Sequence, residues 1–207
     1  MLETDDDDAP HLSAETFLAL HEFYNEQSAK ELMTQSDTSV VIDEDWQLSQ
    51  FWYDDETIKN LGKIATKRVE SDAKIALISC PTLYNKLKET HQVKLFEYDK
   101  RFLKVCGDDF IHYDYKAPLD IPRQLANDFD LVIADPPFLS DECLTKTAIT
   151  IRFLSKEDIV LCTGATMSDL AYRLLGLTKN AFKPGHRNNL ANDFCCYSNF
   201  NVDELIK

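Results

Sequence analysis

Asp135-Pro136-Pro137-Phe138 follows the apolar run Phe129–Ala134 and is the part of the sequence best suited to chemistry. Two successive prolines fix φ at about −65° and bias the residue before them away from the helical region. They also remove two backbone N–H donors, so the corner presents a carboxylate, carbonyl oxygens and an aromatic face. That set suits an amine. The Asp135 carboxylate and the Pro136 carbonyl can each accept an N–H, while Phe138 lies against the carbon-bearing side. Two further apolar runs, Lys94–Tyr98 and Phe110–Tyr113, also end in an aspartate, Asp99 and Asp114. In an open α/β sheet, ligands bind beyond the carboxyl ends of the strands, so the three aspartates converge on one expected site.

Positioning them requires a sheet. Short apolar runs at Lys74–Ser79, Lys94–Tyr98, Phe110–Tyr113, Phe129–Ala134 and Ile159–Thr163 read as strands. Helical patterns at Asp55–Val69, Leu83–Thr90, Ser140–Phe153 and Ser168–Leu175 fall between or beside them. Alternation of this kind predicts an α/β fold, a doubly wound and mostly parallel sheet with helices on both faces. Ala181–Lys183 and Phe194–Phe200 are two strands in succession with no helix between them, which predicts an antiparallel edge. Upstream, Ser13 is placed to cap a helix through Phe17–Tyr24, residues 28–40 read as a polar linker, and Asp45–Tyr53 holds both tryptophans. The expected division is an acidic N-terminal extension over 1–45 and a catalytic body over 46–207.

Charge separates the same two parts. Residues 1–45 hold thirteen acidic side chains and one basic one, whereas 46–207 hold twenty-three acidic and twenty-one basic, out of a net −14. A phosphate backbone is bound through Lys/Arg clusters, and none is present, which argues against a nucleic-acid partner. The acidic segment serves solubility or steers a basic protein partner. Six cysteines lack CxxC pairs or His partners at ligand spacing, so no metal is expected, and their place in apolar runs suits a reducing, cytoplasmic compartment. No apolar stretch approaches the roughly 20 residues of a membrane span, and the N-terminus is not expected to be a signal peptide.

Four segments carry a resemblance: Gln47-Leu-Ser-Gln-Phe-Trp-Tyr53, Phe96-Glu-Tyr-Asp-Lys-Arg-Phe102, Asp130–Phe138 and Asn189-Leu-Ala-Asn-Asp-Phe-Cys195. Together they resemble the translation elongation factor 1A lysine methyltransferase 1 family, earlier described as adenine-N6 DNA methyltransferases because of the DPP[FY] motif. The resemblance implies a seven-stranded, Rossmann-like class I methyltransferase fold, S-adenosylmethionine as cofactor and a lysine of translation elongation factor 1A as acceptor. It implies that Asp135, Pro136, Pro137 and Phe138 form the catalytic motif. It also implies that Asp99 receives the ribose hydroxyls, with Glu97 as competitor on the same side of the strand, and that Asp114 receives the adenine amino group. Trp52 and Tyr53 are then expected at the cofactor's methionine end or in the acceptor channel.

One departure bears on the cofactor. Class I methyltransferases carry a glycine-rich turn after the first strand, where this chain has Ser79-Cys80-Pro81-Thr82, and the whole sequence holds five glycines. Ser79 and Cys80 are the small residues expected to allow close approach there. A dinucleotide-binding dehydrogenase is excluded by the same gap, because a pyrophosphate needs those glycines. Two rival functions stay open at this level: an adenine-N6 nucleic-acid methyltransferase, and a methyltransferase-like binding module without catalysis.

Overall fold

The computed structural model describes residues 42–188 and 193–207; the acidic run Asp5–Asp8 and the helix expected after Ser13 lie outside the described residues. Ile42–Lys207 fold as one unit around a seven-stranded sheet. Its strands are β1 (Lys74–Ile78), β2 (Gln92–Glu97), β3 (Phe110–His112), β4 (Phe129–Ala134), β5 (Ser155–Gly164), β6 (Thr178–Lys179) and β7 (Phe194–Ser198). They lie in the order β3-β2-β1-β4-β5-β7-β6. The first five are mutually parallel, and β7 runs antiparallel to both β5 and β6. The expected doubly wound, mostly parallel architecture is therefore present, with the antiparallel strand inserted next to the C-terminal edge.

β1 and β4 read as continuous apolar runs because helices cover both faces of the sheet. Ile75 and Leu77 point into one core with Leu61 and Ile64 of α1 (Asp55–Arg68), while Ala76 and Ile78 point into the other. The second core is closed by Leu144, Ile151 and Leu154 of α4 (Asp141–Leu154) and Ala171 of α5 (Ser168–Leu175). Two shorter helices, α2 (Tyr84–Leu87) and α3 (Leu103–Cys106), follow β1 and β2. Helix starts follow from composition. Asp54 caps α1 by accepting the Thr57 N–H at 2.7 Å, and Ser140 caps α4 by accepting the Cys143 N–H at 3.2 Å.

Two elements differ from expectation. The helix predicted over Leu83–Thr90 is a 3-10 turn, Pro81–Leu83, followed by the single turn α2. Thr90 and His91 both donate to the Leu87 carbonyl, and the Gln92 N–H donates to Ala73, so the chain is already entering β2. The strand predicted at Ala181–Lys183 lies instead at Thr178–Lys179. The Ala181 and Phe182 N–H groups are taken by the Asp203 carboxylate at 2.7 and 2.8 Å, which removes them from any ladder.

Because β1 pairs with β2 on one side and with β4 on the other, the winding of the sheet reverses between β1 and β4. Such a reversal opens a crevice beyond the strand ends. Ser79, Glu97 and Asp135 each stand at the carboxyl end of one of these three strands.

Candidate active site

A cavity of about 440 Å³ fills that crevice. Of the eleven residues singled out from the sequence, ten line it: Trp52, Tyr53, Ser79, Cys80, Glu97, Asp114, Asp135, Pro136, Pro137 and Phe138. Asp99 does not.

The turn after β1 solves its lack of glycine by strain. Ser79 adopts a φ of 54°, the left-handed region that favours glycine. It is held there by its N–H, which donates to the Phe96 carbonyl at 2.9 Å. The Cys80 thiol donates to the Ile133 carbonyl at 3.4 Å and is turned inward, and burial pushes its pKa well up. The bend of a glycine-rich turn is thus present without the glycine.

Glu97 ends β2 and is 6% exposed. Its Oε1 accepts the N–H groups of Tyr98 and Asp99 at 2.9 and 3.1 Å, while Oε2 makes no hydrogen bond among the described residues. Burial raises its carboxyl to about 7, with Asp99 adding to the rise and the backbone donors opposing it. Asp99 is committed elsewhere. Its Oδ2 accepts from Gln50 Nε2 at 3.0 Å and Arg101 Nε at 2.8 Å, and its Oδ1 accepts the Arg101 N–H at 2.9 Å. Burial pushes Asp99 up, but the bonds from Arg101 and Gln50 outweigh it and hold the group below the ordinary carboxylate value. Of the two acids, Glu97 has the oxygen free to meet a guest.

Asp114 lines the cavity with one oxygen tied to the Lys116 N–H at 2.8 Å and the other without a bond among the described residues. Asp135 follows β4 directly, and its N–H donates to Ile78 at 2.9 Å, which fixes the corner against β1. Burial pushes its carboxyl up to about 7; the Tyr53 hydroxyl opposes that rise and the Glu97 charge adds to it. Pro136 is buried, whereas Phe138 is 42% exposed and meets the Tyr115 ring edge-on at 5.8 Å. The motif therefore runs from a half-buried carboxyl to an aromatic rim.

The fourth wall is a strap, residues 42–53, laid across the strand ends. Trp52 donates its N–H to Glu44 at 2.6 Å and its indole N–H to Ile42 at 3.1 Å. Gln50 joins the strap to β2 through Asp99, and its own Oε1 accepts from Asp45 at 3.0 Å and Arg101 at 3.1 Å. On the other side Arg187 donates to the Trp52 carbonyl, Asp54 to the Gly185 carbonyl, and Tyr53 bridges His186. Gly185 is required there: a Cβ would stand 2.3 Å from Asp54 Oδ2, the carboxylate that caps α1. Sequence reading missed Leu48, Ser49, Tyr98, Tyr115 and Phe194 in the lining. Tyr98 and Tyr115 flank acids already singled out, and that adjacency was the available signal.

The lining has the chemistry of a charged nucleoside site: free carboxylate oxygens on Glu97 and Asp114 for hydroxyl and amino protons, and an acidic, donor-poor corner beside them. A family model described as "Probable N6-adenine methyltransferase" matches residues 44–202. EEF1A lysine methyltransferase 1 of Mus musculus is 47% identical over 208 residues, covering 97% of this chain and 96% of that protein. Protein-lysine N-methyltransferase M142.8 of Caenorhabditis elegans is 49% identical, covering 95% and 97%. Protein-lysine N-methyltransferase EFM5 of Saccharomyces cerevisiae is 33% identical, covering 91% of each chain. Among solved structures, the branched-chain polyamine synthase of Thermus thermophilus superposes with a TM-score of 0.51 at 10% identity, covering 82% of this chain and 62% of that one. The 23S rRNA methyltransferase ErmE gives 0.50 at 13% identity, covering 72% and 68%. These two likenesses show the fold alone. With relatives this similar along nearly its whole length, the chain belongs to the EEF1A lysine methyltransferase 1 family.

Proposed function

We propose that the chain is an S-adenosylmethionine-dependent protein-lysine N-methyltransferase whose acceptor is a lysine of translation elongation factor 1A. The observation that carries the reading is the convergence of the Asp135-Pro136-Pro137-Phe138 corner with the free oxygens of Glu97 and Asp114 in one cavity. The family likeness supports the substrate, since relatives covering nearly the full chain are named for EEF1A.

The residues fit the cofactor. On this reading Glu97 Oε2, free of other bonds among the described residues, accepts from the ribose hydroxyls in place of Asp99, and Asp114 accepts from the adenine amino group. The strained Ser79 turn brings backbone close to the same space. When bound, S-adenosylmethionine supplies an electrophilic methyl on a cationic sulfur. What the chain adds is alignment and exclusion of water. Asp135 and the Pro136 carbonyl accept the N–H groups of the incoming amine, turning its lone pair toward the cavity. Phe138 and Tyr115 at the rim cover the lysine stem, with cation–π attraction of about 0.5–2 kcal/mol. A lysine ammonium ordinarily releases its proton at about 10.4. Asp135 at about 7 lies much closer to that value than a carboxyl at 3.8, so a transient proton transfer to it is less costly. Asp135 also holds the ammonium by charge, which makes it an orienting group first and a base second.

Protein is favoured over adenine in nucleic acid by charge. Glu97, Asp114 and Asp135 line one cavity, and residues 46–207, with twenty-three acidic and twenty-one basic side chains, hold no Lys/Arg cluster to take phosphates. A cytoplasmic location fits six free, buried cysteines. Against a non-catalytic module stand relatives that cover nearly the full chain and are named as methyltransferases.

The test is incubation with radiolabelled S-adenosylmethionine and either recombinant elongation factor 1A or oligonucleotides. The expected result is label in the protein alone, lost by at least about 100-fold in Asp135→Ala with cofactor affinity kept within about threefold. Label in the oligonucleotide, or equal activity of the variant, overturns the reading.

A further inference from the structure

Tyr53 is 1% exposed, lines the cavity, and its hydroxyl makes no hydrogen bond among the described residues. A buried hydroxyl left without a partner is costly and needs a reason. The side chain is not free to swing out. Its backbone bridges His186 and its ring lies 5.3 Å from the His186 ring, while the strap is tied on both sides of it. Tyr53 shares the cavity with Asp135 and Cys80, and burial first, then the charges of Asp135, Cys162 and Cys80, push its hydroxyl well above its ordinary pKa.

The titratable groups that face Asp135 are Glu97 from the end of β2, Cys80 from the turn after β1, Cys162 from β5 and Tyr53 from the strap. Glu97 opposes ionisation of Asp135 by its own charge. Thiols are weak donors, and that of Cys80 is already given to the Ile133 carbonyl. Tyr53 carries the strong neutral donor of the set. Hydrogen bonds of this kind are often long in the free protein and tighten only when the charged or liganded state forms.

We infer that Tyr53 is a positioning residue, its hydroxyl closing onto one oxygen of Asp135 when that group is ionised and turning the other oxygen toward the substrate amine. The identity of that amine rests on the lysine reading above; the hydroxyl–carboxylate pair does not, because both groups stand in the free protein. The sequence expectation for Tyr53 is a place at the cofactor's methionine end or in the acceptor channel. The pair gives it a different task, felt through Asp135.

The experiment follows the Asp135 carboxyl directly, by ¹³C titration of the free protein with the resonance assigned through its loss in Asp135→Asn. Tyr53→Phe is expected to raise the Asp135 midpoint by about one pH unit, the effect of removing one hydrogen bond to a carboxylate. Replacing Tyr53 with 3-fluorotyrosine, a stronger donor of the same shape, is expected to lower it, and decides the matter if the Phe variant does not fold. On a lysine substrate, the acid limb of kcat/KM in Tyr53→Phe moves up with the midpoint. The loss is about fivefold at pH 7 and recovers to within about threefold at pH 9, with cofactor affinity held within about twofold. An Asp135 midpoint unmoved in both variants overturns the inference, and so does a pH-independent loss accompanied by weaker cofactor binding. A midpoint that moves as expected in a protein that methylates no lysine upholds the pair and overturns the lysine reading.

Discussion

Asp135→Asn keeps the shape of the corner and removes a carboxyl that burial and the facing Glu97 push up to about 7 from an ordinary 3.8. A carboxyl raised in the folded state contributes stability that is complete below its unfolded value and is lost as pH rises through the folded one. The window is therefore pH 4 to 7, with the cost fully present above it. A displacement of about 3 pH units corresponds to at most about 4 kcal/mol. Asp135 is only half-buried against the cavity and shares its surroundings with Glu97, so screening by water leaves about 2 kcal/mol. The Asn variant is accordingly expected to be more stable than wild type by about 2 kcal/mol at pH 8.5, a rise in Tm of about 4–8 °C for a domain of this size. At pH 5 the gain falls below about 1 kcal/mol. Thermal unfolding by circular dichroism at both pH values reads this out, and methyl transfer measured alongside is expected to fall by at least about 100-fold. A gain equal at both pH values, or a loss at pH 8.5, refutes the picture of a carboxyl kept in the site at the expense of stability.

Glu97→Gln is expected to weaken S-adenosylmethionine binding by about tenfold or more through loss of a charged acceptor, whereas Asp99→Asn, which loosens only the strap, changes affinity by less than about threefold. Calorimetric titration ranks the two, and the reverse order returns the ribose role to Asp99. Since Glu97 and Asp135 are both held at about 7, arrival of a cationic cofactor at pH 6.5 should expel about one proton, seen as a buffer-dependent binding enthalpy. An enthalpy that is the same in phosphate and Tris contradicts this. Gly185→Ala puts a Cβ 2.3 Å from Asp54 Oδ2 and must break the α1 cap or shift the strap, costing about 1–2 kcal/mol in denaturant melts. A variant as stable as wild type shows that the strap yields freely.

The Asp135 corner was legible because its signals are local: an apolar run, then two prolines whose effect on the backbone does not depend on context. The choice between Glu97 and Asp99 was not. Both acids fall on one side of the strand, and what separates them is where the ladder stops, at Glu97 opposite His112, and a guanidinium two residues beyond Asp99 that turns back to bind it. Ser79 was legible as a small residue at the turn, but its backbone conformation was not, for a related reason. Its left-handed φ is imposed by a bond to Phe96 on the neighbouring strand rather than by glycine, so composition carried no trace of the turn. The misplaced strand at Ala181–Lys183 failed through Asp203, a side chain far along the chain that takes its backbone donors. The orphaned hydroxyl of Tyr53 likewise exists only once the strap is laid across the strand ends.

A crystal structure of the chain with S-adenosylhomocysteine, the product that keeps every part of the cofactor except the methyl, bears most directly on the account. The ribose should lie on Glu97 Oε2, the adenine amino group toward Asp114, and the sulfur should face Asp135 and the Pro136 carbonyl across a gap open to the Phe138 rim. A nucleoside bound away from the β1–β4 crevice, or a sulfur screened from Asp135 by the strap, contradicts it.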